Sequence, residues 1–172
     1  MALIYTICFC RRGDAVLMLY RNKPPNARRW NGLGGKIELG ETPPACVRRE
    51  VAEEAGIDLC LARRMRFAGL VTWASGVDPT APSTGMYAYV ADLPDDWPAW
   101  DGDRPTTDGL LAWKPLRWVC DPGNGAVVDN IPHVLPQLLA RTEPLEYRCN
   151  YTDERLVEVV ARPVTVDALS SG

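Results

Sequence analysis

Residues 35–57 read GKIELGETPPACVRREVAEEAGI, a glycine-bearing loop running straight into one helix rich in carboxylates. Glu50, Glu53 and Glu54 stand at i, i+3 and i+4, so a helix of about 3.6 residues per turn gathers them on one face. Like charges at that spacing repel, no lysine lies one turn away, and helical spacing lets Arg49 serve only Glu53, at i+4. Such a face asks for something multiply positive against it, and a hard divalent cation is the natural occupant. The bland alternative is a solvated outer face. Against it, Val47, Val51 and Ala55 recur at i, i+4 and i+8 and already give the helix an apolar stripe, with the acids to one side. Thr42 is placed to cap the first turn, Pro43 fits the first helical position and Gly56 stops the helix. Ahead of it, Gly32, Gly34, Gly35 and Gly40 make a loop whose backbone can approach a phosphate or lend a carbonyl to a metal.

Gly35, Glu41 after five residues, and Arg49-Glu50-Val51-Ala52-Glu53-Glu54-Ala55-Gly56-Ile57 after seven more resemble the Nudix box. The signature covers 23 of 172 residues, and each of its specified positions matches. The resemblance implies a Nudix-type α/β/α sandwich with a mixed β-sheet. It also implies a Mg²⁺-dependent hydrolase, with Mn²⁺ as the alternative ion, cleaving a diphosphate linkage in a nucleoside diphosphate joined to a further group. Glu50, Glu53 and Glu54 become the metal ligands, joined by a loop carbonyl that maps to Gly34 and by an acidic residue from a later loop. Asp108, just before Gly109-Leu110-Leu111-Ala112-Trp113, is the candidate for that acid, with Asp101 and Asp103 as competitors. Glu41 and Arg49 are implied to pair across the loop–helix junction and hold the loop's shape. The catalytic base is Glu53 or Glu54.

Around the box, Arg29-Trp30-Asn31-Gly32-Leu33-Gly34-Gly35-Lys36 resembles the same segment in MutT-like Nudix enzymes that sanitise oxidised purine triphosphates such as 8-oxo-dGTP. Asn31 carries over as a base contact, with a local turn-forming role as the alternative. Trp30 either stacks or packs, and Lys36 joins the substrate-binding candidates. Val128-Asp129-Asn130-Ile131 aligns with the polar base-recognition segment, which adds Asn130, although the tryptophan that stacks on the base in some relatives is absent. No proline falls between Ile57 and Val77, where ADP-ribose-cleaving members usually carry one, and the coenzyme A and NADH signatures are missing. The expected substrate is therefore a nucleoside triphosphate, cleaved to the monophosphate and pyrophosphate. The alternatives are a nucleotide sugar, ADP-ribose or a pterin triphosphate as substrate, or a non-catalytic nucleotide-sensing module, which would typically have lost box glutamates kept here.

A length of 172 residues suits one domain with a single sizeable core. A net charge of −3, with the arginine pairs dispersed, argues against a partner that is a nucleic acid polymer. The six cysteines show no CxxC pair and the chain has one histidine, His133, so no zinc-ligand spacing can be assembled and the thiols are expected to be reduced. The apolar run at the N-terminus is too short and too soon charged for a signal peptide, and nothing approaches a membrane-spanning length, so a cytoplasmic location is expected. A monomer and a homodimer are both compatible with this composition.

Leu3 to Cys10 and Ala15 to Tyr20 are β-rich runs expected to form a hairpin, followed by a loop from Asn22 to Arg29. Met65 to Ala74 and Met86 to Leu93 are expected strands joined by a turn-rich Ser75 to Gly85 segment. The stretch Leu93 to Thr107, with Pro94, Pro98 and Pro105, is expected to be a loop lying over the site. Leu110 to Leu116 predicts a strand and His133 to Arg141 a helix with Leu135, Leu138 and Leu139 inward. A hairpin closes the chain at about residues 145–162 around Thr152-Asp153-Glu154, and from Pro163 onward the chain is expected to fray.

Overall fold

The computed structural model describes residues 2–74, 83–98 and 100–164. The opening β-rich run forms β1 (Ala2–Arg12), which returns through Gly13 and Asp14 as β2 (Ala15–Arg21). Both strands are apolar on both sides. Ile7, Phe9, Val16 and Met18 face one core and Cys8, Cys10, Leu17 and Leu19 the other, the signature of strands in the middle of a sheet covered on both faces. The chain then gives β3 (Trp30–Asn31), α1 (Pro43–Ala55), a 3₁₀ turn at Leu59–Leu61, β4 (Arg64–Ala74) and β5 (Ser83–Asp92). After these come β6 (Arg104–Pro105), β7 (Gly109–Pro115), α2 (Leu116–Val119), α3 (Ile131–Ala140), β8 (Leu145–Thr152) and β9 (Arg155–Pro163).

Nine strands make one mixed sheet in the order β6-β7-β2-β1-β5-β4-β8-β9, with β3 alongside β2. β1 runs parallel to β5 and β4 parallel to β8, while the other pairings are antiparallel. Val47, Val51 and Ala55 of α1 cover one face, and Ile131, Val134, Leu135 and Leu138 of α3 cover the other. The result is the α/β/α sandwich with a mixed sheet that the sequence led us to expect.

Several local expectations are corrected. Thr42 does occupy the N-cap of α1, but its side chain makes no capping bond. With Pro44 at the second helical position one N–H that a cap would serve is already missing, and the helix relies on Gly56, left-handed at φ 68°, to close its other end. Ser83 to Gly85 belong to β5, and residues 75–82 of the expected turn lie outside the described residues. The Leu93 to Thr107 stretch is tied down: β6 pairs with β7, Trp97 and Trp100 pack onto the core under α1, and Arg12 Nη1 donates to the Trp97 carbonyl at 2.8 Å. These contacts hold its described residues against the sheet. Pro163 still pairs with Leu145 at the end of β9, and residues 165–172 lie outside the described residues. All six thiols are free, and no helix among the described residues is long and apolar enough to cross a membrane.

Candidate active site

The glycine loop crosses the end of α1, and two of its residues have no room for a side chain. A Cβ on Gly34, at φ +141°, would lie 2.3 Å from the Thr6 carbonyl oxygen, and one on Gly35 would meet the Glu50 carboxylate at 2.5 Å. The loop backbone therefore touches both a β1 carbonyl and a helix carboxylate. Gly34 N–H donates to Glu54 Oε2 at 2.9 Å, so the loop also fixes the second acid.

Arg49 organises the rest. Its Nε and Nη2 grip the two oxygens of Glu41, each at 2.9 Å, the fork geometry that suits a guanidinium. Nη1 donates to Glu50 Oε1 at 2.7 Å, and Nη2 to the Lys36 carbonyl at 3.1 Å. Glu53 is reached only at 3.4 Å and is 62% exposed. The helix-spacing expectation that Arg49 serves Glu53 alone is thus corrected: the absent side chain at Gly35 lets Glu50 fold back toward the loop, where the guanidinium meets it. The Arg49 hydrogen bonds, helped by the Glu38 N–H, hold the Glu41 carboxyl down at about 2, and its two carboxylate partners hold the Arg49 guanidinium charged well above its ordinary range.

Glu54 behaves oppositely. Burial pushes its pKa up to about 7, against the pull of the Gly34 N–H, and the negative charges of Glu50 and Asp108 push the same way. Asp108, which precedes β7, is tied to the end of β2 by Asn22 N–H donating to its carbonyl at 3.0 Å, and its carboxylate lies 3.6 Å from Lys23 Nζ. Asp103 is turned instead to Lys114, 3.7 Å away, and Asp101 is exposed. Of the three loop acids, Asp108 is the one whose charge is felt at Glu54. Neither Lys23 nor Arg21, whose charge is also felt there, was singled out from the sequence. A basic pair at a strand end looks like any solvated pair until β7 is set beside β2.

The donor set fits a hard divalent cation. Glu54 is a partly buried carboxylate whose strongest charged neighbours are other acids, the situation a cation relieves. Among the described residues no three His, Cys, Asp or Glu side chains converge tightly enough to cage an ion alone. That suits Mg²⁺, which keeps water ligands and takes the remainder from one or two carboxylates and a polyphosphate.

The substrate-side candidates fall on the other flank of β2. Trp30 is 8% exposed, with Tyr20 5.3 Å from its ring, Trp118 at 6.5 Å and Lys114 Nζ 4.0 Å above its centre. Of the two roles open to it, packing is the one its surroundings describe. Asn31 Oδ1 accepts from Gly32 N–H at 2.9 Å, which commits the oxygen to the loop. Trp30 N–H donates to the Ala126 carbonyl at 2.8 Å and Val128 N–H to the Trp30 carbonyl at 3.0 Å, so the Val128 to Ile131 segment is stitched beside Asn31. Asn130 there lies against the Cys149 thiol and the Tyr151 hydroxyl, and Tyr151 donates to Asp129 at 3.3 Å. Lys36 is exposed at the loop rim.

Comparison with known proteins agrees with this geometry. A putative 8-oxo-dGTP diphosphatase of Mycobacterium tuberculosis is 47% identical over 49 residues, 28% of this chain and 35% of that protein. An NAD-capped RNA hydrolase of Vibrio atlanticus is 35% identical over 81 residues, 47% of this chain and 27% of that protein. The chain thus spans between a quarter and about a third of the length of these curated relatives. In fold it is similar to a MutT protein from Bacillus halodurans, with a TM-score of 0.70 over 94% of this chain and 98% of that one at 22% identity. The NUDIX domain model matches residues 3–128, most of the length and the whole of the acidic site, and the chain belongs to the Nudix family.

Proposed function

We propose that the protein is a Mg²⁺-dependent pyrophosphohydrolase that cleaves a nucleoside triphosphate to the monophosphate and pyrophosphate, with oxidised purine nucleotides such as 8-oxo-dGTP the class it prefers. The observation that carries the reading is Glu54: a carboxylate raised to about 7 by burial and by Glu50 and Asp108, held in place by the Gly34 N–H. Glu50, Glu53, Glu54 and the Gly34 carbonyl would hold the ion, which Mn²⁺ can replace. Once bound, it would neutralise polyphosphate charge and acidify a water. Glu54, held at the loop by the Gly34 N–H, is our choice of base between the two candidates, and exposed Glu53 completes the acidic face. Arg49 keeps Glu41 and Glu50 in register, and Asp108 with Lys23 closes the site from the β2–β7 edge.

The substrate class is supported by Asn31, by the Val128 to Ile131 segment whose Val128 is bonded to the adjacent Trp30, and by the likeness to the mycobacterial protein. With its oxygen engaged by Gly32, Asn31 offers its amide NH₂ to a base acceptor, and losing one such partner costs about 1–3 kcal/mol. Asn31→Ala is therefore expected to flatten base preference by about 10-fold or more, read as kcat/KM over 8-oxo-dGTP, dGTP, dCTP, ADP-ribose, NAD and a nucleotide sugar with Mg²⁺ or with chelator. Preference for one of the last three, or full activity in chelator, would sink the assignment.

Asp108→Asn is expected to lower kcat about 10-fold with little change in melting temperature, since the residue is half-exposed and paired only with Lys23. Asp101→Asn and Asp103→Asn should leave kcat near wild type. The reverse pattern would show that a different loop acid serves the site.

A further inference from the structure

Among the described residues, Thr6, Thr72 and Glu146 are the buried polar or charged side chains. Thr72 and Glu146 satisfy one another at 2.7 Å between β4 and β8. Thr6 stands apart from that pair, on β1 directly beneath the glycine loop. Its N–H donates to the Gly35 carbonyl at 2.8 Å, and its hydroxyl lies 3.5 Å from the same oxygen. The hydroxyl also meets the Cys46 thiol at 3.3 Å, and that thiol is 3.9 Å from the Gly35 carbonyl. Cys46 sits in α1 one turn ahead of Glu50, fully buried, with Arg49 Nη2 3.6 Å from its sulfur. On the other side of the peptide, the Thr6 carbonyl occupies the space where a Gly34 side chain would go. One strand residue and one helix residue thus flank the Gly34–Gly35 stretch of the loop, and neither is among the specified positions of the Nudix box.

We propose that Thr6 and Cys46 are positioning residues. Together they pin the Gly35 carbonyl, so that the Gly34 N–H stays aimed at Glu54 and Gly35 stays pressed against Glu50. Each contact is weak alone, but the acceptor is partly buried, and removing the hydroxyl leaves the thiol without a hydrogen-bonding partner of its strength. The Gly35 carbonyl would then keep the Thr6 N–H as its one strong donor while Leu33 and Ile37 stay bonded to Cys8 and Ile4, so the glycines between them could rock and both carboxylates would follow. The consequence for rate rests on the proposed Mg²⁺-dependent reading, whereas the consequence for loop order holds in the metal-free protein.

The test compares Thr6→Val, which keeps shape and loses the hydroxyl, with Thr6→Ser, which keeps the hydroxyl. Hydrogen exchange of the Gly34 amide is measured without metal, alongside Mg²⁺ binding by calorimetry and the Mg²⁺ and nucleotide dependence of turnover. In Thr6→Val the Gly34 amide is expected to exchange about 10-fold faster relative to core amides such as Leu17, because a local opening has become easier. The half-saturating Mg²⁺ concentration should rise about 10-fold, the usual scale for lost outer support of a metal site, with nucleotide KM at saturating Mg²⁺ little changed. Thr6→Ser should restore both. Cys46→Val against Cys46→Ser repeats the comparison from the helix side and carries it alone should Thr6→Val fail to fold. Unchanged Gly34 exchange, or acceleration shared equally by every core amide, would overturn the clamp. Wild-type protein that binds no Mg²⁺ while its Gly34 exchange still responds to the substitutions would overturn the metal reading and leave the clamp standing.

Discussion

Glu54→Gln is expected to lower kcat by about 10²-fold or more, and at the same time to make the metal-free protein harder to melt. Both effects come from one cause. The Glu54 carboxyl titrates at about 7 in the fold and near its ordinary 4.5 when unfolded. Below about pH 4.5 both states are protonated and there is no penalty. As pH rises from there to about 7 the unfolded chain gives up its proton first, so the native state loses stability, and above 7 the loss is complete. The shift corresponds to at most about 3 kcal/mol, and solvent access to this half-buried group reduces it to about 1–2 kcal/mol. Glutamine removes the titration while still accepting from Gly34 N–H. Its melting temperature at pH 8 should sit about 2–6 °C above wild type in chelator, with the gap closing toward pH 5. Mg²⁺ should stabilise wild type more at pH 8 than at pH 6, and the variant little at either. A variant that melts below wild type at pH 8, or retains full kcat, would refute the account.

Gly35→Ala should damage the site almost as severely, for a steric reason. The new Cβ would fall 2.5 Å from the Glu50 carboxylate, so that side chain must leave its place against the loop and its 2.7 Å bond to Arg49. Because the obstacle is the far end of a flexible side chain, the fold should survive, with half-saturating Mg²⁺ raised about 10–100-fold. Gly34→Ala offers the contrast. There the clash is with the Thr6 backbone at 2.3 Å and φ is +141°, so stability and not only metal response should fall. Equal melting temperatures for the two variants would contradict the distinction, and so would an unaltered Mg²⁺ dependence in Gly35→Ala.

The sequence was most legible where the information is local. The bounds of α1 follow from Pro43, Gly56 and the Val47/Val51/Ala55 stripe, and the Glu41–Arg49 pair follows from the box itself. The β1–β2 hairpin was legible from its two β-rich runs, and Thr152-Asp153-Glu154 announced the last turn, with Asp153 and Glu154 left-handed at φ 49° and 63°. What stayed hidden depends on partners distant in sequence. Lys23 meets Asp108 only because β7 lies antiparallel to β2, with Gly109 opposite Arg21. Helical spacing gave Arg49 to Glu53 and missed Glu50, because the deciding vacancy lies at Gly35, outside the helix. Trp30 was open to stacking or packing, and the side chains that surround its ring, Lys114 and Trp118, lie more than 80 residues on. Thr6 and Cys46 gave no signal at all, since a threonine in a strand and a cysteine in a helix stripe are ordinary until they meet.

The family model ends at residue 128, and α3 and the β8–β9 hairpin follow it. α3 roofs the face formed by Ile7, Phe9, Val16 and Met18, and β8 hydrogen-bonds along β4 from Gly69 to Trp73. A boundary drawn by likeness would leave that face bare to water and β4 as an open edge, a template for pairing with other chains. The box glutamates would all be present in such a fragment, yet the sheet that carries them would have lost the cover of its opposite face. The segment that the family model spans and the sheet that carries it differ in extent here, and the last quarter of the chain covers a face and an edge that the first three quarters leave open.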